Sequence, residues 1–163
     1  MLVHLKPRSK NIPHIPFFIN LFGTGFFSGY FPFASGTFGS MVALLVFLFD
    51  CFKEWYFLII LILVFFIIGI FVSEKIENMV GHDPSIVVID EFVGIWISLL
   101  FVTINIYTII LAFILFRFFD IIKPYPANYY NKKMGGMAIM IDDIIAGLYA
   151  NIFLQIVIIF IKF

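Results

Sequence analysis

The chain has 163 residues, 63% of them hydrophobic and only 12% charged, with a formal net charge of zero; so little polar surface excludes an ordinary water-soluble domain. Nothing in the charge balance marks a nucleic-acid partner, and the single cysteine, Cys51, excludes an internal disulfide or a cysteine-based metal cluster within one chain. The composition predicts an all-α, polytopic integral membrane helical bundle, one domain over residues 1–163 with room for about four to six spans.

Residues 1–16 hold Lys6, Arg8 and Lys10 among Pro7, Pro13 and Pro16, and no uninterrupted apolar core with a small-residue cleavage site follows. This predicts a retained basic arm on the cytoplasmic side, not a cleaved signal peptide, with His4 and His14 as solvated bystanders. Residues 17–36 are apolar but broken by Gly23, Gly25, Gly29, Pro32 and Gly36. That pattern predicts a glycine-rich, partly non-helical interfacial segment. Irregular backbone at membrane depth needs cover from protein or a wet cavity. The run Ser35-Gly36-Thr37-Phe38-Gly39-Ser40 reads as a turn leading into a helix. Helix N-termini favour anions, so the run is either a phosphate seat around Thr37 or simply small residues that allow close helix packing.

Spans are expected over about 37–52 and 55–72, joined by the polar turn Asp50, Lys53 and Glu54, with Cys51 as a buried small residue near a helix end. Ser73 to Pro84 is polar, and His82 within it reads as a surface residue. Asp83 before Pro84 resembles a cap with proline at the first helical position, which would place Asp90 and Glu91 about two turns inside a helix over 84–103. From Phe92 to Phe119 the chain runs for 28 mostly apolar residues, interrupted by Thr103, Asn105 and Thr108 and by Arg117 near the end. One straight helix of that length would reach about 42 Å, against a hydrocarbon core of about 30 Å. Two helices turning at Thr103 to Asn105 fit better, the second over 106–122, with a last span over 144–161. This hairpin puts Lys6, Arg8, Lys10, Lys75, Arg117, Lys123, Lys132 and Lys133 on the cytoplasmic side and leaves Lys53 and Lys162 outside.

Three acidic groups then converge near the cytoplasmic face: Asp90 with Glu91, Asp120, and Asp142 with Asp143. A charged side chain at a bilayer centre costs roughly 2.5–3.5 kcal/mol on insertion scales, so such a gathering needs a polar cavity or a bound ion. A hard divalent ion, most simply Mg²⁺, suits oxygen ligands together with a substrate phosphate. All five acids are therefore candidate catalytic and metal-ligating residues. Arg117, three residues before Asp120 on the same helical face, and Lys123 at the helix end ahead of Pro124 are candidate phosphate ligands with Thr37. The plainer reading of Arg117 is neutralisation of Asp120, and of the Asp142-Asp143 pair, capping of the last helix. Lys132 and Lys133 read as headgroup-facing.

Asp90-Glu91-Phe92-Val93-Gly94, Arg117-Phe118-Phe119-Asp120-Ile121-Ile122-Lys123-Pro124-Tyr125-Pro126, Gly135-Gly136-Met137 and Ile141-Asp142-Asp143-Ile144-Ile145-Ala146-Gly147 together resemble the phosphatidylglycerophosphatase A family of bacteria. Gly23-Thr24-Gly25 through Ser40 is similar to that family's N-terminal motif, with Ser35 where the pattern leads one to expect proline. The resemblance implies a Mg²⁺-dependent hydrolase of the bacterial inner membrane. It would remove the terminal phosphate of phosphatidylglycerophosphate, to give phosphatidylglycerol in phospholipid biosynthesis, at a site facing the cytoplasm. Which carboxylate acts as base, and whether an aspartyl-phosphate forms, stay open at this level. A competing class is a small transporter or channel subunit that uses buried acids for cation or proton passage. Charges gathered on one side, in place of a path across the membrane, argue against it.

Overall fold

A computed structural model describes residues 14–161; the basic arm through Pro13, and Lys162, lie outside the described residues. Among the described residues the structure is helical, without strands: α1 (Phe17–Gly23), α2 (Ser35–Leu44), α3 (Trp55–Val80), α4 (Ile89–Ser98), α5 (Ile106–Ile122), α6 (Ala127–Asn131) and α7 (Gly136–Ile161). Helices α3 and α7 are long and apolar enough to cross a membrane. At 26 residues each they reach about 39 Å. Their outer faces carry apolar stripes, with Ile60, Leu63, Ile67 and Phe71 exposed on α3 and Leu148, Ile152, Ile156 and Ile159 on α7. α5 carries a third stripe, Ile110, Ile114, Phe118 and Ile121. Such i, i+4 rows have no partner inside the molecule.

The core is organised around α4. Every residue of this short helix except Glu91 is buried, against α7, α2 and α3. At ten residues it spans only about 15 Å, so the expected span over 84–103 is corrected to a half-length helix. Its end inside the bundle leaves carbonyl groups that need donors. Asn151 of α7 supplies them, donating Nδ2–H to the carbonyls of Ser98 (3.1 Å) and Leu100 (2.8 Å). The turn at Thr103 to Asn105 is as expected: Asn105 caps α5, accepting from Tyr107 N and Thr108 N while Thr108 Oγ1 accepts from Asn105 N.

The other helix starts depart from expectation. Asp83 does not cap a helix; it sits at φ +47°, and 84–88 run irregularly to Ile89. Tertiary contacts hold that stretch: Val88 N donates to Gly23 O (3.0 Å) and Ser35 Oγ to Ser85 O (2.6 Å). Asp90 and Glu91 therefore stand in the first turn of α4, not two turns inside it. α7 begins at Gly136, behind the left-handed Gly135 (φ +109°), so Asp142 and Asp143 lie inside the helix and the capping reading fails. Ser35 to Ser40 are the opening of α2 itself, not a turn before it. The span expected over 37–52 breaks after Leu44 into 3₁₀ turns at Leu45–Leu48 and Asp50–Lys53. Near that break, the Trp96 indole N–H donates to Ala43 O (2.9 Å). Cys51 is exposed, contrary to expectation.

Candidate active site

Three helices deliver the charged side chains to one place, and a fourth meets them there. α4 brings Asp90 and Glu91, α7 brings Asp142 and Asp143, α5 brings Arg117 and Asp120, and Lys123 closes the C-terminal end of α5 in left-handed conformation (φ +47°) before Pro124. α2 arrives end-on. A Cβ at Gly36 would fall on the Glu91 carboxylate, with Arg117 Nη1 beside it, so any larger residue there requires the Glu91 side chain to move. Asp90, Glu91 and Asp143 each offer a carboxylate oxygen within 4.8 Å of the others. Beside this trio, Arg117 Nη1 lies 2.7 Å from Asp120 Oδ2. Lys123 Nζ lies 2.6 Å from Asp142 Oδ2, 3.1 Å from Asp120 Oδ1 and 3.5 Å from Asp143 Oδ1.

Five carboxylates thus face two cations. Burial by itself would lower the pKa of the Lys123 ammonium, but Asp143, Asp120 and Asp142 more than reverse this and raise it above the ordinary lysine value, so Lys123 stays charged. The acids are not all served by the two bases. Asp90 Oδ1, Glu91 Oε2, Asp142 Oδ1 and Asp143 Oδ2 are buried with no hydrogen-bond partner among the described residues, and so is Arg117 Nε. Buried polar atoms without partners are costly, and their concentration here marks a place built for something else to bind. Hard oxygen donors on three converging carboxylates fit a divalent cation such as Mg²⁺. The unpaired Arg117 Nε–H beside them fits an oxyanion.

All the expected site residues except Thr37 meet directly. Thr37 follows Gly36 in the first turn of α2, and its hydroxyl makes no hydrogen bond among the described residues. Two further residues, Asn131 and Glu77, support the cluster without having stood out in the sequence. Asn131 of α6 donates Nδ2–H to Asp142 Oδ2 (3.1 Å). Between His82, Asn131 and Asp142 is a hollow of about 10 Å³, the room of a single water. Glu77, near the end of α3, is buried and accepts from Gly135 N (2.6 Å) and Asp83 N (3.3 Å), with His82 Nδ1 at 2.8 Å. It ties the start of α7 and the 81–83 turn to α3. Helical spacing with the buried Ser73 and Ile76 is the signal that would have revealed Glu77 as core-facing.

The family model for phosphatidylglycerophosphatase A matches residues 21–158 of this chain. A phosphatidylglycerophosphatase A of Escherichia coli is 35% identical over 131 residues, covering 78% of this chain and 76% of its own. One from Haemophilus influenzae is 40% identical over 139 residues, covering 82% and 85%. A Bacteroides thetaiotaomicron protein, named as a candidate phosphatidylinositol-3-phosphatase, is 40% identical over 149 residues, covering 83% and 91%. No solved structure matches.

Proposed function

The chain belongs to the phosphatidylglycerophosphatase A family, and we propose that it hydrolyses phosphatidylglycerophosphate to phosphatidylglycerol and phosphate in a Mg²⁺-dependent reaction. Family membership makes it a lipid phosphatase, a phosphoric monoester hydrolase. The observation that carries the finer reading is that Asp90, Glu91 and Asp143 each offer a carboxylate oxygen within 4.8 Å of the others and each keep a buried oxygen without a partner, beside Arg117 and Lys123. Asp90, Glu91 and Asp143 would hold Mg²⁺, with Asp120 and Asp142 in support. When bound, the ion supplies Lewis acidity toward phosphoryl oxygens and lowers the pKa of a coordinated water.

The remaining work falls to the chain's own groups. Arg117, Lys123 and the N-terminal turn of α2 with the free Thr37 hydroxyl bind phosphoryl oxygens, whose charge grows in the transition state. Hydrolysis forms a P–O bond to water and breaks the P–O bond to the glycerol oxygen. A carboxylate of the cluster takes the proton from the attacking water, and a proton returns to the leaving glycerol oxygen. Burial of the cluster excludes bulk water and strengthens each of these interactions.

The exposed apolar stripes on α3, α5 and α7 support a membrane protein; we place it across the bacterial inner membrane as a multi-pass protein, its site at headgroup depth toward the cytoplasm, the side that Lys75, Arg117, Lys123, Lys132 and Lys133 would share. Phosphate release by the purified protein in detergent tests the reaction, with phosphatidylglycerophosphate, phosphatidic acid and phosphatidylinositol 3-phosphate in parallel, each with Mg²⁺ or chelator. Mg²⁺-dependent release mainly from the first is the expected result. Preference for either of the others overturns the substrate, and release in chelator overturns the metal.

A further inference from the structure

The site lies at the N-terminal end of α2, and the flanks of that helix are hollow. On one side a groove of about 340 Å³ runs between α2, α3 and α4, lined among others by Phe26, Ala43, Val46, Phe65, Phe92 and Trp96. On the other side a groove of about 220 Å³ runs between α2 and α5, lined by Met41, Leu44, Ile109, Ile110 and Phe113. Both are apolar, and three helices measure their distance from the site. Along α2, Met41 and Leu44 lie five and eight residues beyond Gly36, about 8 and 12 Å. Along α5, Phe113 and Ile109 lie four and eight residues from Arg117, about 6 and 12 Å. Along α4, Phe92 directly follows Glu91, and Trp96 lies about 8 Å from it.

We propose that these two grooves receive the two acyl chains of a single diacyl lipid substrate, which straddles α2 with its terminal phosphate at Gly36, Arg117 and Lys123. The inference rests on the lipid-phosphate reading above and names the surface that recognises the hydrophobic part. One to two helical turns of separation is the interval that the phosphorylated headgroup and the lipid's glycerol backbone would occupy between the reacting phosphate and the first methylenes.

The backbone at the mouth of the larger groove adds an independent observation. Phe26 and Phe27 both hold left-handed conformations, φ 55° and 69°, which a side chain disfavours. Phe26 N donates to Leu21 O (2.7 Å) and Phe27 N to Thr24 Oγ1 (3.1 Å), which fixes the turn. The result is a half-exposed Phe26 ring beside Phe92, 6.3 Å between centroids, on the wall of the groove. Strain of this kind gathers where a side chain must be held for a ligand. By contrast, the apolar stripes of α3 and α7 are outward helix faces, which suit bulk lipid.

The test uses the full chain in detergent. Val46→Trp narrows one groove and Leu44→Trp the other; Ile60→Trp, on the exposed face of α3, is the control. For each, kcat/KM is measured on a long-chain diacyl substrate and on the water-soluble phosphorylated glycerol headgroup alone. Each groove variant is expected to lower the preference for the long-chain substrate about tenfold through KM, and Ile60→Trp to leave that preference unchanged. An unchanged preference in both groove variants overturns the proposal. A second measurement needs no turnover: a long-chain phosphatidylglycerophosphate with a diazirine near the carboxyl end of its acyl chains, photolysed on the wild type. Label concentrated on residues 41–46, 92–96 and 109–113 supports the grooves, and label spread equally over the outer faces of α3 and α7 overturns them. Wild-type protein inactive on every substrate would sink the reaction, while the labelling pattern would still decide the grooves.

Discussion

Asp143→Asn separates a metal ligand from a structural ion-pair partner, because the two roles predict opposite signs. Asp143 Oδ1 lies 3.5 Å from Lys123 Nζ, while its Oδ2 has no partner among the described residues. Lys123 keeps closer contacts with Asp142 and Asp120. Without metal, the substitution removes one negative charge from five crowded carboxylates, so it should leave the protein as stable as the wild type or more so. With metal the order reverses. An ion at 100 times its dissociation constant stabilises the folded state by about 2.7 kcal/mol, and a chain of this size gains about 2–4 °C per kcal/mol. The wild type should therefore rise by about 5–11 °C when Mg²⁺ replaces chelator, and the variant should not. Thermal unfolding in detergent, followed by the fluorescence of buried Trp96 and of Trp55, reads both numbers. A variant that is less stable in chelator yet keeps the full Mg²⁺ shift would refute the ligand role and leave Asp143 a salt-bridge partner.

Gly36→Ala should fold normally, since helix interiors favour alanine, yet displace Glu91; turnover should drop about 100-fold, and wild-type kcat would show that the approach of α2 is irrelevant. At Gly147, a Cβ would meet the backbone carbonyl of Gly94 across the α4–α7 contact, where neither helix can give way easily. Gly147→Val should cost about 1–3 kcal/mol, or about 2–12 °C in thermal unfolding; an unchanged midpoint contradicts the packing. Glu77→Ala strands the Gly135 and Asp83 amides and should cost about 1–3 kcal/mol. Hydrogen exchange at those two amides should quicken, and unaltered protection would deny the tie.

What the sequence made legible was local. α5 was readable at both ends because its signals lie within a few residues of them: the Asn105 and Thr108 capping box at the start, Lys123 and Pro124 at the stop. The convergence of the acids was readable from the cost of burying charge and the need for a hairpin at Thr103 to Asn105. The starts of α4 and α7 were not. Asp83-Pro84 has the composition of a helix start, but bonds to Gly23 and Ser35, 50 or more residues away in sequence, hold 84–88 out of helical form. Asp142-Asp143 has the composition of a cap, yet the helix starts earlier, where Glu77 of α3 accepts the Gly135 N–H. In both cases a distant partner decides the backbone, and no local pattern encodes it.

The corrected boundaries change how the buried charge is tolerated. Asp90 and Glu91, in the first turn of α4, face the positive end of a helix dipole. Lys123, at the end of α5, sits where a cation is favoured. Asp142 and Asp143, well inside α7, have no such help and depend on Lys123 and, for Asp142, on Asn131. Helix ends and bases thus answer part of the charge of five acids and leave unpartnered oxygens on Asp90, Glu91, Asp142 and Asp143. A fold stabilised only by internal pairing would have matched the five acids with more than the two bases, Arg117 and Lys123, that reach them. The N-terminus of α2 adds positive potential, brought by Gly36 against Glu91 and Arg117. The short helices therefore serve the site by ending there. Two N-termini and one C-terminus meet around a negative remainder, a charge distribution suited to a divalent cation and, through it and Arg117, to a phosphate.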